Sequence, residues 1–216
     1  VASIQMDEVA VGAMLADELI DQARRQGLDQ DGLRIAAIGG LPADALAADR
    51  IAGLNQVVDA NPDAVLVQAF TAERWSRLEG WELTPRILNR YPDVDIIWAA
   101  NSDIAMGVVD AAEPLGKRLG QDLLTGGVDW VPEALDMVRD GRMAASVGGL
   151  FMHGGFALIA LMDHLSGVDA FGDGDRVIFT QPSLLQTSSI APYLDFVASR
   201  GFRSVDFTRF SYAADP

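Results

Sequence analysis

Residues Tyr91 to Leu135 read YPDVDIIWAANSDIAMGVVDAAEPLGKRLGQDLLTGGVDWVPEAL, and they hold two consecutive units in which an apolar run ends abruptly in polar groups. The first run, Val94 to Ala99, stops at Asn101-Ser102-Asp103; the second, Leu123 to Val128, stops at Asp129 followed by Trp130. Short apolar runs bounded by turn residues read as buried strands. Each is followed by helix signals: Ile104, Val108 and Leu115 share one face after Asn101, and Pro132 suits the first turn of a helix. Open parallel sheets hold ligands outside the carboxyl ends of their strands, where loops meet helix N-termini. The two tips therefore predict part of a pocket for a small polar molecule.

The alternation continues in both directions. Upstream, Asp7 caps a helix carrying Val11, Leu15 and Leu19, which Gly27 stops. Leu33 to Ile38 then reads as a buried strand ending in Gly39-Gly40-Leu41-Pro42, followed by an alanine-rich helix to about Ala60. A strand from Ala64 to Ala69 leads into a longer helix, from after Phe70 to about Arg90, which Pro85 interrupts or kinks. Downstream, a helix from Pro132 ends near Gly141, and Met143 to Val147 is a strand. Gly154 to Leu165 reads as an apolar helix, Val177 to Thr180 as a strand, and Tyr193 to Arg200 as a closing helix. Strands alternating with helices of this length predict an α/β fold with a parallel sheet and helices on both faces.

The chain has 216 residues, half of them hydrophobic, which is enough for one large or two small domains. Its formal net charge of -15 repels a phosphate backbone, and no basic cluster offsets that field, so no nucleic-acid partner is predicted. No apolar run approaches the roughly 20 residues that span a bilayer. Cysteine is absent, which removes disulfides, thiolate metal sites and cysteine nucleophiles together. Val1 opens the chain with neither an initiator methionine nor a signal segment, and reads as a processed or truncated start.

Few residues point to catalysis. Gly39-Gly40 lies between a strand and a helix, but its spacing matches neither dinucleotide nor P-loop patterns, which leaves a tight turn. His153 and His164 are too far apart for helical metal ligation, and no GxSxG elbow occurs. No catalytic residue, metal or cofactor is predicted. Of the four tryptophans, Trp98 sits inside an apolar strand and reads as core, while Trp75, Trp81 and Trp130 remain candidates for stacking on the C–H faces of a sugar.

Taken in order, YPDVDIIWAANSDIAMGVVDAAEPLG and GGVDWVPEALDMVRDGRMAASVGG resemble the type I periplasmic sugar-binding proteins, the ribose and galactose receptor group. In that family a strand ends in an AxND-type tip, and a GxD tip precedes a P-E-A helix. The resemblance extends back through AERWSRLEG and through IGGLPADALAADRIAGL, which is similar to the family's GxxxxxxARxRxxGF segment. It implies that Trp75 stacks on a sugar, that Asn101 binds it, and that Asp129 accepts its hydroxyl hydrogens. Two departures point away from ribose itself: Ala48 stands where ribose receptors hold a ligand-gripping arginine, and Gly149 where they hold glutamine or asparagine. Arg50 stands nearby as a substitute or as a surface or helix-packing ion pair.

The resemblance also implies an organisation. Residues 1–128 would form a nearly complete C-terminal lobe, 129–175 a remnant of the N-terminal lobe, and 176–216 the third hinge and tail. The strand at Met143 to Val147 would then be an open edge, and the missing N-terminal segment would belong to the parent chain or to a separate polypeptide. The implied function is a non-enzymatic periplasmic solute-binding protein, which closes about a hinge on a small, sugar-like ligand and delivers it to an inner-membrane ABC-type permease. Two other roles use the same fold: a receptor reporting to a membrane sensor kinase, as the autoinducer-2 receptors do, and the effector domain of a repressor.

Overall fold

In the computed structural model, which describes residues 3–168, 177–199 and 201–213, eight strands form among the described residues. They are β1 (Ser3–Met6), β2 (Leu33–Gly39), β3 (Ala64–Thr71), β4 (Ile96–Ala99), β5 (Leu124–Val128), β6 (Ala145–Gly148), β7 (Val177–Thr180) and β8 (Ser183–Gln186). The helices are α1 (Glu8–Arg25), α2 (Ala45–Ala60), α3 (Arg77–Arg90), α4 (Ser102–Ala112), α5 (Pro132–Arg139), α6 (His153–Leu165) and α7 (Ile190–Ser199). The chain divides into a larger compact unit, Glu8–Gly148 with Ser183–Ala191, and a smaller one, Val1–Asp7, Gly149–Pro182 and Pro192–Pro216.

The larger unit is a six-stranded sheet in the order β3-β2-β4-β5-β6-β8. Its first five strands are parallel, and β8 runs antiparallel to β6. Helices cover both faces, as β5 shows. A side chain built on Gly126 would meet Leu15 and Leu19 of α1, whereas one on the next residue, Gly127, would meet the backbone of Asn101 and Ser102 at the start of α4. Successive strand residues point to opposite faces. Trp98, in register with Gly126 on the neighbouring strand, is fully buried, as the sequence predicted.

Four glycines set the helix spacing. A Cβ on Gly12 would lie 2.0 Å from the Arg50 carbonyl oxygen, and one on Gly53 2.0 Å from that of Val9. The pair α3 and α4 repeats the device, with 2.3 Å from Gly80 to Ile104 O and 2.1 Å from Gly107 to Arg77 O. Each helix pair thus approaches backbone to backbone.

The smaller unit pairs β1 with β7 in parallel, with α6 packed alongside. Asp163 of α6, only 1 % exposed, accepts hydrogen bonds from the Ser211 hydroxyl and from the amides of Tyr212 (2.8 Å) and Ala213 (3.3 Å). Phe156, Phe207 and Phe210 meet edge to face or tilted beside it. His153 opens α6 and shares a 2.6 Å hydrogen bond between its Nε2 and Thr180 Oγ1.

Several expectations are corrected. The predicted division after Val128 falls inside the larger unit, because Gly126 to Val128 pair with Ala145 to Val147 and the Asp129 amide donates to Val147 O at 2.8 Å. β6 is not an edge, since β8 flanks it on its other side. β1 and β8 were not anticipated, and Ser183–Ala191 joins the larger unit. Pro85 does not interrupt α3. That helix begins at Arg77, after a Ser76–Glu79 capping box, and not just after Phe70. The expected boundary at Asp175, the chain start at Val1 and the helix end at Arg200 lie outside the described residues.

Candidate ligand-binding site

In the larger sheet β2 lies between β3 and β4, so the chain leaves β2 to one side for β3 and then returns past it to β4. The carboxyl ends of β2 and β4 therefore flank the point where strand order reverses, the place at which open α/β sheets form a ligand crevice. Gly39 and Gly40 end one strand there, and Ala99 to Asn101 end the other.

Trp75 follows β3 and a turn in which its amide donates to Ala72 O at 3.3 Å. Its φ is +55°, a left-handed conformation that bulky residues adopt only when their surroundings impose it. The surroundings here are specific. The indole lies on Gly40, where a Cβ would come within 2.1 Å of Trp75 Cζ2, so a side chain at position 40 would displace the ring. The Trp75 carbonyl accepts a 2.9 Å hydrogen bond from Asn101 Nδ2.

Asn101 is also the N-cap of α4, with Oδ1 accepting from the Ile104 amide at 2.8 Å. Its side chain thus joins the helix start to the Trp75 backbone. One amide hydrogen and one oxygen lone pair are left for a ligand.

Asp129 ends β5 with φ of +87°. Two buried hydroxyls hold that conformation by donating to its carbonyl oxygen, Ser102 Oγ at 2.5 Å and Ser146 Oγ at 2.9 Å. Asp tolerates left-handed backbone better than most residues, which makes it suited to this turn. Burial raises the proton affinity of its carboxyl; the positive charge of Arg50 works the other way, while Glu8 and Asp103 reinforce the rise. A carboxylate lacking full solvation gains from donors that replace water, which is what sugar hydroxyls are.

The neighbouring Trp130 lies across Gly148, where a Cβ would come within 2.5 Å of its ring, and its Nε1 donates to Ser146 O at 3.2 Å. Trp81 is half exposed on α3. The structure therefore brings Trp75 and Asn101 into direct contact and places Asp129 on the next strand, held by the first residue of Asn101's own helix. Sequence reasoning missed the fixing partners Gly40 and Ser146. Of the alternatives left open for Arg50, a ligand-gripping substitute or a surface or helix-packing ion pair, the structure shows the helix-packing pair with Glu8, on a side chain only 4 % exposed. The capping-box spacing Ser76 to Glu79 was visible and marks where the turn holding Trp75 must end. Among the described residues no group of three or more histidine and acidic side chains gathers as metal ligands.

The family described as "Periplasmic binding protein domain" matches residues 1–167. The D-allose-binding periplasmic protein of Escherichia coli (strain K12) is 34 % identical over 146 residues, which are 68 % of this chain and 44 % of that protein. The ribose import binding protein RbsB of the same strain is 28 % identical over 150 residues, 69 % of this chain and 47 % of that one. A solved periplasmic sugar-binding protein from Pseudomonas fluorescens superposes with a TM-score of 0.86 at 30 % identity, over 100 % of this chain and 65 % of its own. The matched region thus spans about half the length of these curated relatives.

Proposed function

Because the chain belongs to the periplasmic binding protein family, we propose that it binds a small sugar in the periplasm, without chemical conversion, for delivery to an ABC-type permease of the inner membrane. The supporting observation is the gathering of Trp75, Asn101 and Asp129 at the carboxyl ends of the strands beside the reversal of strand order. An aromatic face, an amide with one spare donor and acceptor, and a carboxylate short of solvation match the C–H surface and hydroxyls of a monosaccharide. Allose and ribose, the sugars in the names of two relatives, carry their secondary hydroxyls on one side of the open-chain form. Aldoses of that configuration are the first candidates. Thermal shift of the protein with D-allose, D-ribose and D-galactose tests the reading: a rise in Tm with D-allose or D-ribose supports it, and no rise with any aldose overturns it. The same capture step would serve a receptor for a membrane sensor kinase, and co-purification with a permease or with a sensor separates the two.

The smaller unit bears on the partners. Among the described residues its parallel pair has no further strand on either side, and Leu158, Leu161, Met162, Leu165 and Phe179 stand exposed. Parallel strands are normally covered on both faces. We propose that further polypeptide, from the parent chain or a separate one, covers this surface. Native mass spectrometry showing a stable monomer, together with no dye binding to exposed apolar surface, would sink that idea.

A further inference from the structure

Arg50 presents a fixed positive charge in the middle of the alanine-rich α2, and only 4 % of it is exposed. A cation so placed costs several kcal/mol unless it is paired and hydrogen-bonded. Its contacts run to three separate segments. Nε donates to Glu8 Oε2 at 2.7 Å, at the first residue of α1. Nη1 donates to the Ala100 carbonyl at 2.7 Å, immediately before Asn101. The guanidinium carbon lies 6.0 Å from the centre of the Trp75 ring, within reach of a cation–π attraction.

These partners are the parts of the site that need fixing. The Ala100 peptide is held from both sides, since its amide donates to Ile38 O at 2.9 Å while its carbonyl takes the Arg50 proton. Asn101 follows directly and grips the Trp75 carbonyl, and the Trp75 ring returns to Arg50. The circuit closes through a single guanidinium. A planar fork can serve a carboxylate, a carbonyl and an aromatic ring together, whereas an ammonium is a single point charge with a different reach.

We propose that Arg50 is a positioning residue for the ligand site: it orients the Trp75 ring and the Ala100–Asn101 peptide, without itself contacting the ligand. The affinity readout rests on the sugar-binding reading; two other readouts do not. Charge and geometry separate in the variants. Arg50→Lys keeps the charge and loses the fork, and Arg50→Met loses both while keeping the apolar stem. Pairing Arg50→Met with Glu8→Gln leaves no unpaired carboxylate and keeps the test open if the single variant does not fold. The charges felt at Asp129 come from Arg50 on α2, Glu8 on α1 and Asp103 on α4.

The experiment is an NMR titration of the Asp129 carboxyl carbon and the Trp75 indole N–H in sugar-free protein, assigned with Asp129→Asn and Trp75→Phe, alongside calorimetric titration with D-allose. Arg50→Met should raise the Asp129 midpoint, through loss of a neighbouring cation, while Arg50→Lys leaves it near the wild-type value. Both variants should move the Trp75 indole signal and weaken D-allose binding about tenfold or more, a loss of about 1.4 kcal/mol. If the Asp129 midpoint and the Trp75 signal stay put in Arg50→Met, Arg50 is a packing ion pair and the proposal fails. Unchanged D-allose affinity in both variants also overturns it. Should wild-type protein bind no aldose, the sugar reading falls, and the two sugar-free signals still decide whether Arg50 orders the site.

Discussion

Asp129 combines a strained backbone with a poorly solvated carboxyl, and the two properties predict different responses. Asparagine keeps the tolerance for left-handed φ and removes the poorly solvated charge, so Asp129→Asn should leave the unliganded Tm unchanged or higher while abolishing the sugar-induced rise. Alanine forgoes that tolerance and should cost about 1 kcal/mol in addition. Differential scanning calorimetry of both variants, with and without D-allose, checks the pair; a sugar-induced rise surviving in Asp129→Asn would make the residue purely structural. The direction of the carboxyl's shift sets a pH dependence. Its folded proton affinity is raised, so the carboxyl becomes neutral at a pH above the ordinary value of about 3.9. Sugar affinity should therefore fall on acidification with a midpoint above that value, and Asp129→Asn should show no such step. At this scale Asp129 and Asn101 were legible because a polar residue after an apolar run is a one-dimensional pattern. Arg50 was not: its partners Glu8 and Ala100 stand 42 and 50 residues away, and nothing in an alanine-rich helix distinguishes a buried arginine from a solvated one.

Elements were read best where a period is long enough to register, as in α1 and α4, and least well where a strand has four residues. β1 and β8 each have four, too few to distinguish from loop by alternation, and their existence follows from the strands they pair with. The late start of α3 has a different cause: the apolar run continues from β3 to Ala72, and only the capping box shows that a turn intervenes. Glycines give element-scale tests of opposite sign. Gly53→Ala would drive a methyl into the Val9 carbonyl and should cost about 1–3 kcal/mol, lowering Tm by several degrees. In Gly154→Ala the methyl meets nothing within 4 Å on helical backbone, and the gain in helix propensity should stabilise by up to about 1 kcal/mol. Equal effects of the two would refute the close-crossing account. Asp163 offers a third test. Hydrogen bonds from Ser211, then from the Tyr212 and Ala213 amides, hold its carboxyl below the usual range against the effect of burial. Its contribution is therefore complete above about pH 3.9 and is lost as pH falls through the lower folded value. Exchange of the Tyr212 and Ala213 amides should accelerate only in that acid range, and in Asp163→Ala already at neutral pH.

Across the molecule, cohesion is uneven. The larger unit has helices on both faces of its sheet, whereas among its described residues the smaller has one parallel pair of strands, with α6, whose leucines are exposed, and most of α7. Protection against hydrogen exchange should follow, with the amides of β1 and β7 opening well before those of β2 and β4; equal protection would show that the smaller unit is stabilised by more than its own contacts. The chain passes between the units after Asp7, Gly148, Pro182 and Ala191, so neither is a continuous stretch of sequence. That threading has a consequence in time. The larger unit has five of its strands in one uninterrupted run, but β1 must wait for β7, about 170 residues later. At roughly 5–20 residues per second of synthesis, that is a delay of about 10–30 s. During it the larger unit can already be packed while β1 still lacks β7, the strand on which its parallel ladder depends.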